Sequence, residues 1–215
     1  MDFMKIIKSL EALLYELMVW LVFYPLTLWR SLAHPLKLMD YADDELEDAD
    51  EDRYSDTLSP PIFLAISLGL IHLIELAESW NVTTEGLLSD DKNLLAFRLV
   101  AFSLFPLMLS LRMLRAQGIA LDRKTLRLPF YAQCFVAAPF ALGVDSSTLL
   151  IAAGAGPIAG FGLLGAVVLW YLVIQTLWFR EGLDCGWLRG LGNALRGFLE
   201  ALLICMIISA VSDSL

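Results

Sequence analysis

The sequence predicts an all-α, polytopic integral membrane protein with about five transmembrane helices and an N-terminal interfacial amphipathic helix. Of the 215 residues, 58% are hydrophobic and 18% are charged, whereas a soluble domain is about 45–50% apolar and about 25% charged. Mean hydropathy is +0.68. A helix needs about 20 largely apolar residues to cross the hydrocarbon layer. Five stretches of the chain come near this length: 60–79, 94–111, 129–144, 158–179 and 192–212.

The first 30 residues are predicted to form an amphipathic helix with a wide apolar face. Lys5 and Glu16 lie near one stripe of such a helix, and most other side chains are apolar. This pattern favours a helix that lies on the inner leaflet. Two alternatives remain: a sixth span with the N-terminus outside, which Lys5 disfavours, and a cleaved signal peptide, which Glu16 and Arg30 disfavour.

The formal charge of −9 is concentrated in one acidic segment, residues 40–56. This segment holds ten acidic residues and one arginine, so the charges of the remaining chain balance. Because dense like charge favours solvation and disorder, residues 31–59 are predicted to be a flexible cytoplasmic linker. Docking of a basic cytoplasmic partner protein is the alternative, with these candidate partner-binding residues: Asp43, Asp44, Glu45, Glu47 and Asp48.

Neither a metal, a cofactor nor a catalytic site is expected. An EF-hand-like spacing begins at Asp48, but Arg53 stands where the turn needs glycine, and Ser59 where a glutamate should close the calcium cage. The motifs of nucleotide-binding and hydrolytic enzymes are absent from the sequence. Without a basic face to neutralise phosphates, nucleic-acid binding is not expected either.

Basic residues predict the orientation of the spans. Of the 15 lysines and arginines, only Lys92 and Arg98 fall on one side of a five-span topology. Because basic flanks are retained in the cytoplasm, the N-terminus and the acidic segment are predicted to be cytoplasmic and the C-terminus to be outside. We expect a multi-pass protein of the bacterial inner membrane.

Ionisable residues inside the spans are the first candidates for a functional site, because charge at membrane depth is costly. His72 and Glu75 share a face of the first span, and Arg98 lies at a similar depth on the second. An ion pair between Glu75 and Arg98 is therefore predicted. The alternatives are that both side chains reach the headgroups, or that His72 and Glu75 relay a proton or ion.

A second group of polar residues lies in the later spans. Glu200 is predicted to pair with Arg196, four residues earlier on the same helix. The alternative is a cavity that Glu200 lines together with Gln133, Gln175 and Asn193. Amides inside spans usually form hydrogen bonds with a neighbouring helix.

Small residues recur at intervals of four and predict close helix packing, either within the chain or in a homo-oligomer. They are Gly156 and Gly160, Gly162 and Ala166, and the series Gly197, Ala201, Cys205 and Ser209.

The order of these features resembles bacterial Yip1-like membrane proteins and small polytopic proteins labelled "permease". The matching parts are residues 26–35 (LTLWRSLAHP), Ser59-Pro60-Pro61 at the start of the first span, and Tyr131 with Pro139 in the third. The acidic segment departs from the Yip1 pattern. The resemblance implies a non-enzymatic membrane-shaping or trafficking protein, while the permease label implies transport.

Three regions follow: an amphipathic helix over 1–30, an acidic linker over 31–59 and a membrane domain over 60–215. The function predicted is a non-catalytic membrane scaffold or interaction protein. The alternative is a small transporter or channel subunit that uses the polar residues inside the spans.

Overall fold

Seven helices make up all of the secondary structure in the described part of the chain. The computed structural model describes residues 3–47, 54, 56–77 and 91–213. The helices are α1 (Phe3–Ala33), α2 (Pro35–Glu47), α3 (Pro60–Ala77), α4 (Asp91–Gln117), α5 (Arg123–Ala152), α6 (Pro157–Gly182) and α7 (Trp187–Asp213). All except α2 are long and apolar enough to cross a membrane. The predicted all-α polytopic class is confirmed.

Helix α5 lies at the centre of the bundle. It packs against α1, α2, α3, α4 and α6, and α7 packs against α4 and α6. Every residue from 132 to 141 is buried. Five of these residues are alanine or cysteine, whose short side chains let neighbouring helices approach closely.

The central helix is longer than the 129–144 stretch that apolar content predicts. It begins after Asp122, whose carboxylate accepts hydrogen bonds from the backbone N–H groups of Thr125 and Lys124. These bonds satisfy orphan donors of the first turn and lower the pKa of the Asp122 carboxyl. The helix continues through Asp145 to Ala152. Its 30 residues span about 45 Å at 1.5 Å per residue.

A proline inside α5 creates the contact that fixes the end of α1. Pro139 has no N–H, so the carbonyl of Phe135 loses its usual intrahelical donor. The Ser31 hydroxyl, on α1, donates a hydrogen bond to this carbonyl at 2.5 Å. Ser31 is completely buried. A hydroxyl from a neighbouring helix therefore satisfies a backbone group that lipid could not satisfy.

Helix α1 contacts the bundle through its C-terminal third. Thr27 and Ser31 are buried, and the Tyr24 hydroxyl donates to Ser67 on α3 at 3.1 Å. Where its side chains are described, the helix is exposed from Met4 to Met18. Residues 7–33 have the length and composition of a sixth span, and the interfacial placement of this helix stays a prediction.

The prediction of a flexible linker is wrong for residues 35–47, which form α2. Its apolar residues Leu38, Met39 and Ala42 are buried in the core shared with α5. They lie on one face because their spacing follows the helical repeat. This apolar face, which the acidic composition obscures, explains why the helix forms.

Acidic side chains hold Tyr54 and Asp56, which follow α2 in the chain, against α1 and α2. Glu45 accepts a hydrogen bond from the backbone N–H of Tyr54. Asp56 accepts hydrogen bonds from Arg30 at 2.8 Å and from Tyr41 at 2.6 Å. Partial burial acts to raise the pKa of Asp56, but these two hydrogen bonds outweigh it and hold the pKa below its ordinary value.

The arginine-rich turns over residues 112–127 and 180–189 lie at one end of the bundle, here called the basic end. Gln117 bridges the two turns by donating to the carbonyl of Gly182 at 3.1 Å. Asp40 and Asp43 of α2 line a cleft of about 470 Å³ together with residues of both turns. The acidic helix therefore lies at the basic end. The opposite end is called the distal end.

Two of the glycines in the small-residue series pack closely against other parts of the chain. A methyl group at Gly160 would overlap Cγ1 of Ile151 and would lie 2.8 Å from the carbonyl oxygen of Ser147. One at Gly197 would lie 2.8 Å from Cδ2 of Leu109, whereas Gly162 has no neighbour within 4 Å. The α5–α6 contact therefore depends on glycine at position 160.

We predict that Gly160→Ala destabilises the protein by about 1–3 kcal/mol, because the methyl group meets backbone as well as side-chain atoms. Gly162→Ala is the matched control. It is expected to be neutral or to stabilise by up to about 1 kcal/mol, because alanine is the better helix former. Thermal unfolding in detergent micelles measures both, and equal losses would contradict the packing described.

A second prediction concerns the bond between Ser31 and the Phe135 carbonyl. Ser31→Ala leaves this buried carbonyl unsatisfied and is expected to cost about 1–3 kcal/mol. In a Pro139→Ala background the cost falls, because the alanine supplies the N–H that proline lacks. A double-mutant cycle from unfolding in SDS measures the coupling. Strictly additive effects would show that the hydroxyl does not replace the proline's lost donor.

Candidate functional site

Three helices bring ionisable side chains together near the distal end. His72 and Glu75 lie on α3, Arg98 on α4 and Asp145 on α5. Each residue is 5–8% exposed. Because α3, α4 and α5 pack against one another, the four side chains form one group, here called the charged cluster.

The predicted ion pair between Glu75 and Arg98 is confirmed. Nη1 of Arg98 donates to Oε2 of Glu75, and Nη2 donates to Oε1 at 2.8 Å. Two parallel bonds match the fork of the guanidinium to the carboxylate, which is the strong geometry for such a pair. Nδ1 of His72 lies 3.8 Å from Oε2 of Glu75. The charged cluster therefore joins α3 to α4 through buried charge.

Asp145 is a member of the charged cluster that sequence reasoning missed. It interacts electrostatically with both Arg98 and Glu75. It is also the only charged residue between Arg127 and Arg180. Its isolation in so long an uncharged stretch is the signal that could have identified it.

Gln133 and Gln175 form a closed amide pair between α5 and α6. Each Nε2 donates to the other residue's Oε1 at 2.7 Å. Both side chains are fully buried. The expectation that amides bond a neighbouring helix is confirmed, and each amide provides the other with a donor and an acceptor.

The residues of the proposed second cavity are distributed over separate pairs. Nε of Arg196 donates to Glu200 at 3.0 Å, as predicted. Oδ1 of Asn193 accepts from Nε of Arg112 at 2.9 Å, which links α7 to α4. Glu200 and Asn193 therefore form their own pairs, apart from the two glutamines.

An aromatic layer lies between the charged cluster and the amide pair. Phe105, Phe140, Tyr171 and Phe198 come from α4, α5, α6 and α7, and their ring centroids are 4.3–6.4 Å apart. Along α5, Phe140 stands between Asp145 and Gln133. Rings from four helices therefore contact one another at this level.

The candidate partner-binding residues do not all face outward. Asp43 is exposed, whereas Glu45 is half-buried and bonds the backbone of Tyr54. The side chains of Asp44 and Glu47, and Asp48 as a whole, lie outside the described residues.

Within the described ranges, no group of three or more histidine, cysteine, aspartate or glutamate side chains is placed to hold a metal ion. Comparison of the chain with protein-family models, curated proteins and solved structures found no match. The functional proposal therefore depends on the geometry of the chain itself.

We predict strong coupling between Glu75 and Arg98. Removing one partner of a buried ion pair costs about 3–5 kcal/mol, because the other charge stays buried. Glu75→Gln and Arg98→Gln should each approach this loss, and the double variant should lose much less than their sum. Unfolding in SDS measures the cycle.

The exposed pair on α7 provides a matched control. Arg196→Gln should cost less than about 1 kcal/mol, because Arg196 faces solvent or headgroups. Additive losses from Glu75→Gln and Arg98→Gln, or a loss at Arg196 as large as at Arg98, would contradict the account of the charged cluster.

Proposed function

We propose that this protein is a non-catalytic membrane scaffold or interaction protein, Yip1-like in its order of features. The observation that supports this proposal is the aromatic layer, in which rings from four helices contact one another at the level of Phe140. A channel or transporter needs a polar path between its two ends. Here aromatic side chains lie between the charged cluster and the amide pair, and the amides are bonded to each other.

The interaction surface proposed is the acidic segment at the basic end. Burial of Leu38, Met39 and Ala42 anchors α2 on the bundle, while Asp40 and Asp43 are exposed. A helix held by its apolar face presents its acidic face in a fixed orientation, which favours a basic partner. Basic turns at the same end favour a cytoplasmic location for this surface by the positive-inside rule.

The exposed length of α1 agrees with a membrane-shaping role. Apolar side chains from Met4 to Met18 have no cover within the described part of the chain. A helix with a wide apolar face inserts at the acyl boundary and is sensitive to curvature. We propose that α1 lies in the inner leaflet beside the bundle.

A small transporter is the second candidate, and the charged cluster favours it. Ionisable groups buried at membrane depth mark ion pathways in many membrane proteins. Such a function requires the aromatic layer to open during the transport cycle.

Partner capture tests the scaffold proposal. We expect a cytoplasmic protein, crosslinked to the wild-type chain in native membranes, to be lost from the Asp40→Asn/Asp43→Asn variant. The matched control is Asp184→Asn, which removes an exposed acid at the basic end outside the cleft that Asp40 and Asp43 line. Capture unaffected by the first variant, or equally reduced by the control, would contradict the proposed surface.

Flux separates the two candidates. We expect purified protein in lipid vesicles to add no proton or monovalent-cation flux to that of empty vesicles. Flux that depends on wild-type protein and disappears in Glu75→Gln would establish transport instead.

A further inference from the structure

The charged cluster lacks one positive charge. Glu75 and Asp145 are acidic, and among the described side chains Arg98 is the one permanent cation that interacts with both. The Arg98 fork is occupied by Glu75 through two hydrogen bonds. When they are ionised, Glu75, Asp145 and Arg98 together therefore carry one net negative charge in a buried site. A buried, unbalanced charge is strongly disfavoured at membrane depth.

Two atoms of the charged cluster lack a partner within the described residues. Oδ2 of Asp145 and Nδ1 of His72 are both buried and form no hydrogen bond there. Both residues are more than nine-tenths buried. Each of these two atoms can accept a proton. The excess negative charge and the unpartnered atoms would both be satisfied by one additional proton.

We propose that Asp145 binds a proton taken up from the aqueous phase at the distal end, so that the charged cluster is neutral when loaded. When Asp145 is neutral, Arg98 forms an ion pair with Glu75 alone, and the two carboxyl groups no longer repel each other. No part of this inference depends on the proposed scaffold function.

A metal cation fits the site less well than a proton does. The Arg98 guanidinium repels any second cation close to Asp145. Both oxygens of Glu75 already accept bonds from Arg98. Within the described ranges, the ligand set of a metal ion is not assembled at this position.

Among the side chains that the structure describes, no other titratable group on the neighbouring helices supplies the missing charge. Helix α6 has none from Pro157 to Trp170. On α7, Glu200 is paired with Arg196. Helices α1 and α2 contact α5 towards the basic end, where Ser31 meets Phe135. The loop 78–90 and the side chains of Asp91 and Lys92 lie outside the described residues.

Proton binding makes the α3–α4–α5 contact sensitive to pH. The folded state binds the proton more tightly than the unfolded chain, because only the folded state buries the unbalanced charge. Stability should therefore fall as the pH rises through the titration of Asp145. Asp145→Asn mimics the neutral acid, so this variant should lose most of the pH dependence.

Infrared difference spectroscopy of the full-length protein in lipid nanodiscs tests the proposal. We expect a carboxylic-acid C=O band that disappears on raising the pH and is absent in Asp145→Asn. Glu200→Gln is the matched control and should leave the band unchanged. Specific ¹³C labelling of aspartate carboxyls in the wild-type chain should shift the band, which tests the assignment without any substitution.

Three results would overturn the proposal. The first is a wild-type spectrum in which no carboxylic-acid C=O band persists above the pH range where exposed carboxyls lose their protons. The second is a band that does not shift with labelled aspartate. The third is a band that responds to sodium or potassium at constant pH, which would assign the site to a metal cation. Partner capture and flux are measured independently, so failure here leaves the scaffold proposal standing.

Discussion

The structure depends on one constraint: a polar group inside the lipid layer has to find its partner within the protein. Pro139 leaves the carbonyl of Phe135 without its helical donor, and Ser31 supplies a replacement. That bond fixes the C-terminal end of α1. Because α2 begins two residues after α1 ends, the same bond brings the start of the acidic helix close to α5, where apolar burial holds it. A missing N–H in the central helix therefore influences the placement of the segment that carries most of the charge.

Helix α5 arranges the polar groups in successive levels. Asp145 lies nearest the distal end, Phe140 next, then the freed carbonyl of Phe135 and the amide of Gln133. The neighbours that meet α5 change from level to level: α4 at the acid, α4, α6 and α7 at the aromatic layer, α1 at the carbonyl and α6 at the amide. Spreading these partners over several helices lets one central element hold the bundle together.

The features that sequence predicted well are those determined by local pattern. The apolar runs identified five of the spanning-length helices, and matching depth on adjacent helices placed Glu75 opposite Arg98. The i,i+4 rule paired Arg196 with Glu200. All three inferences need only the helical repeat and the thickness of the bilayer. What the sequence could not provide depends on contacts between distant segments. The hydrogen-bond partners of Ser31 and Gln133 are 104 and 42 residues away, and no local pattern encodes them.

The way α2 is attached determines how its contact with the bundle responds to salt. The acidic composition of α2 suggested a solvated segment. However, Leu38, Met39 and Ala42 lie at helical spacing, and the helix buries them against α5. If ion pairs alone held the helix in place, salt would weaken its attachment. Instead, apolar burial supplies the contact, and Asp56, beyond the helix, makes the ion pair with Arg30. An acidic surface built in this way stays attached at high salt, while its attraction for a basic protein weakens as the charges are screened.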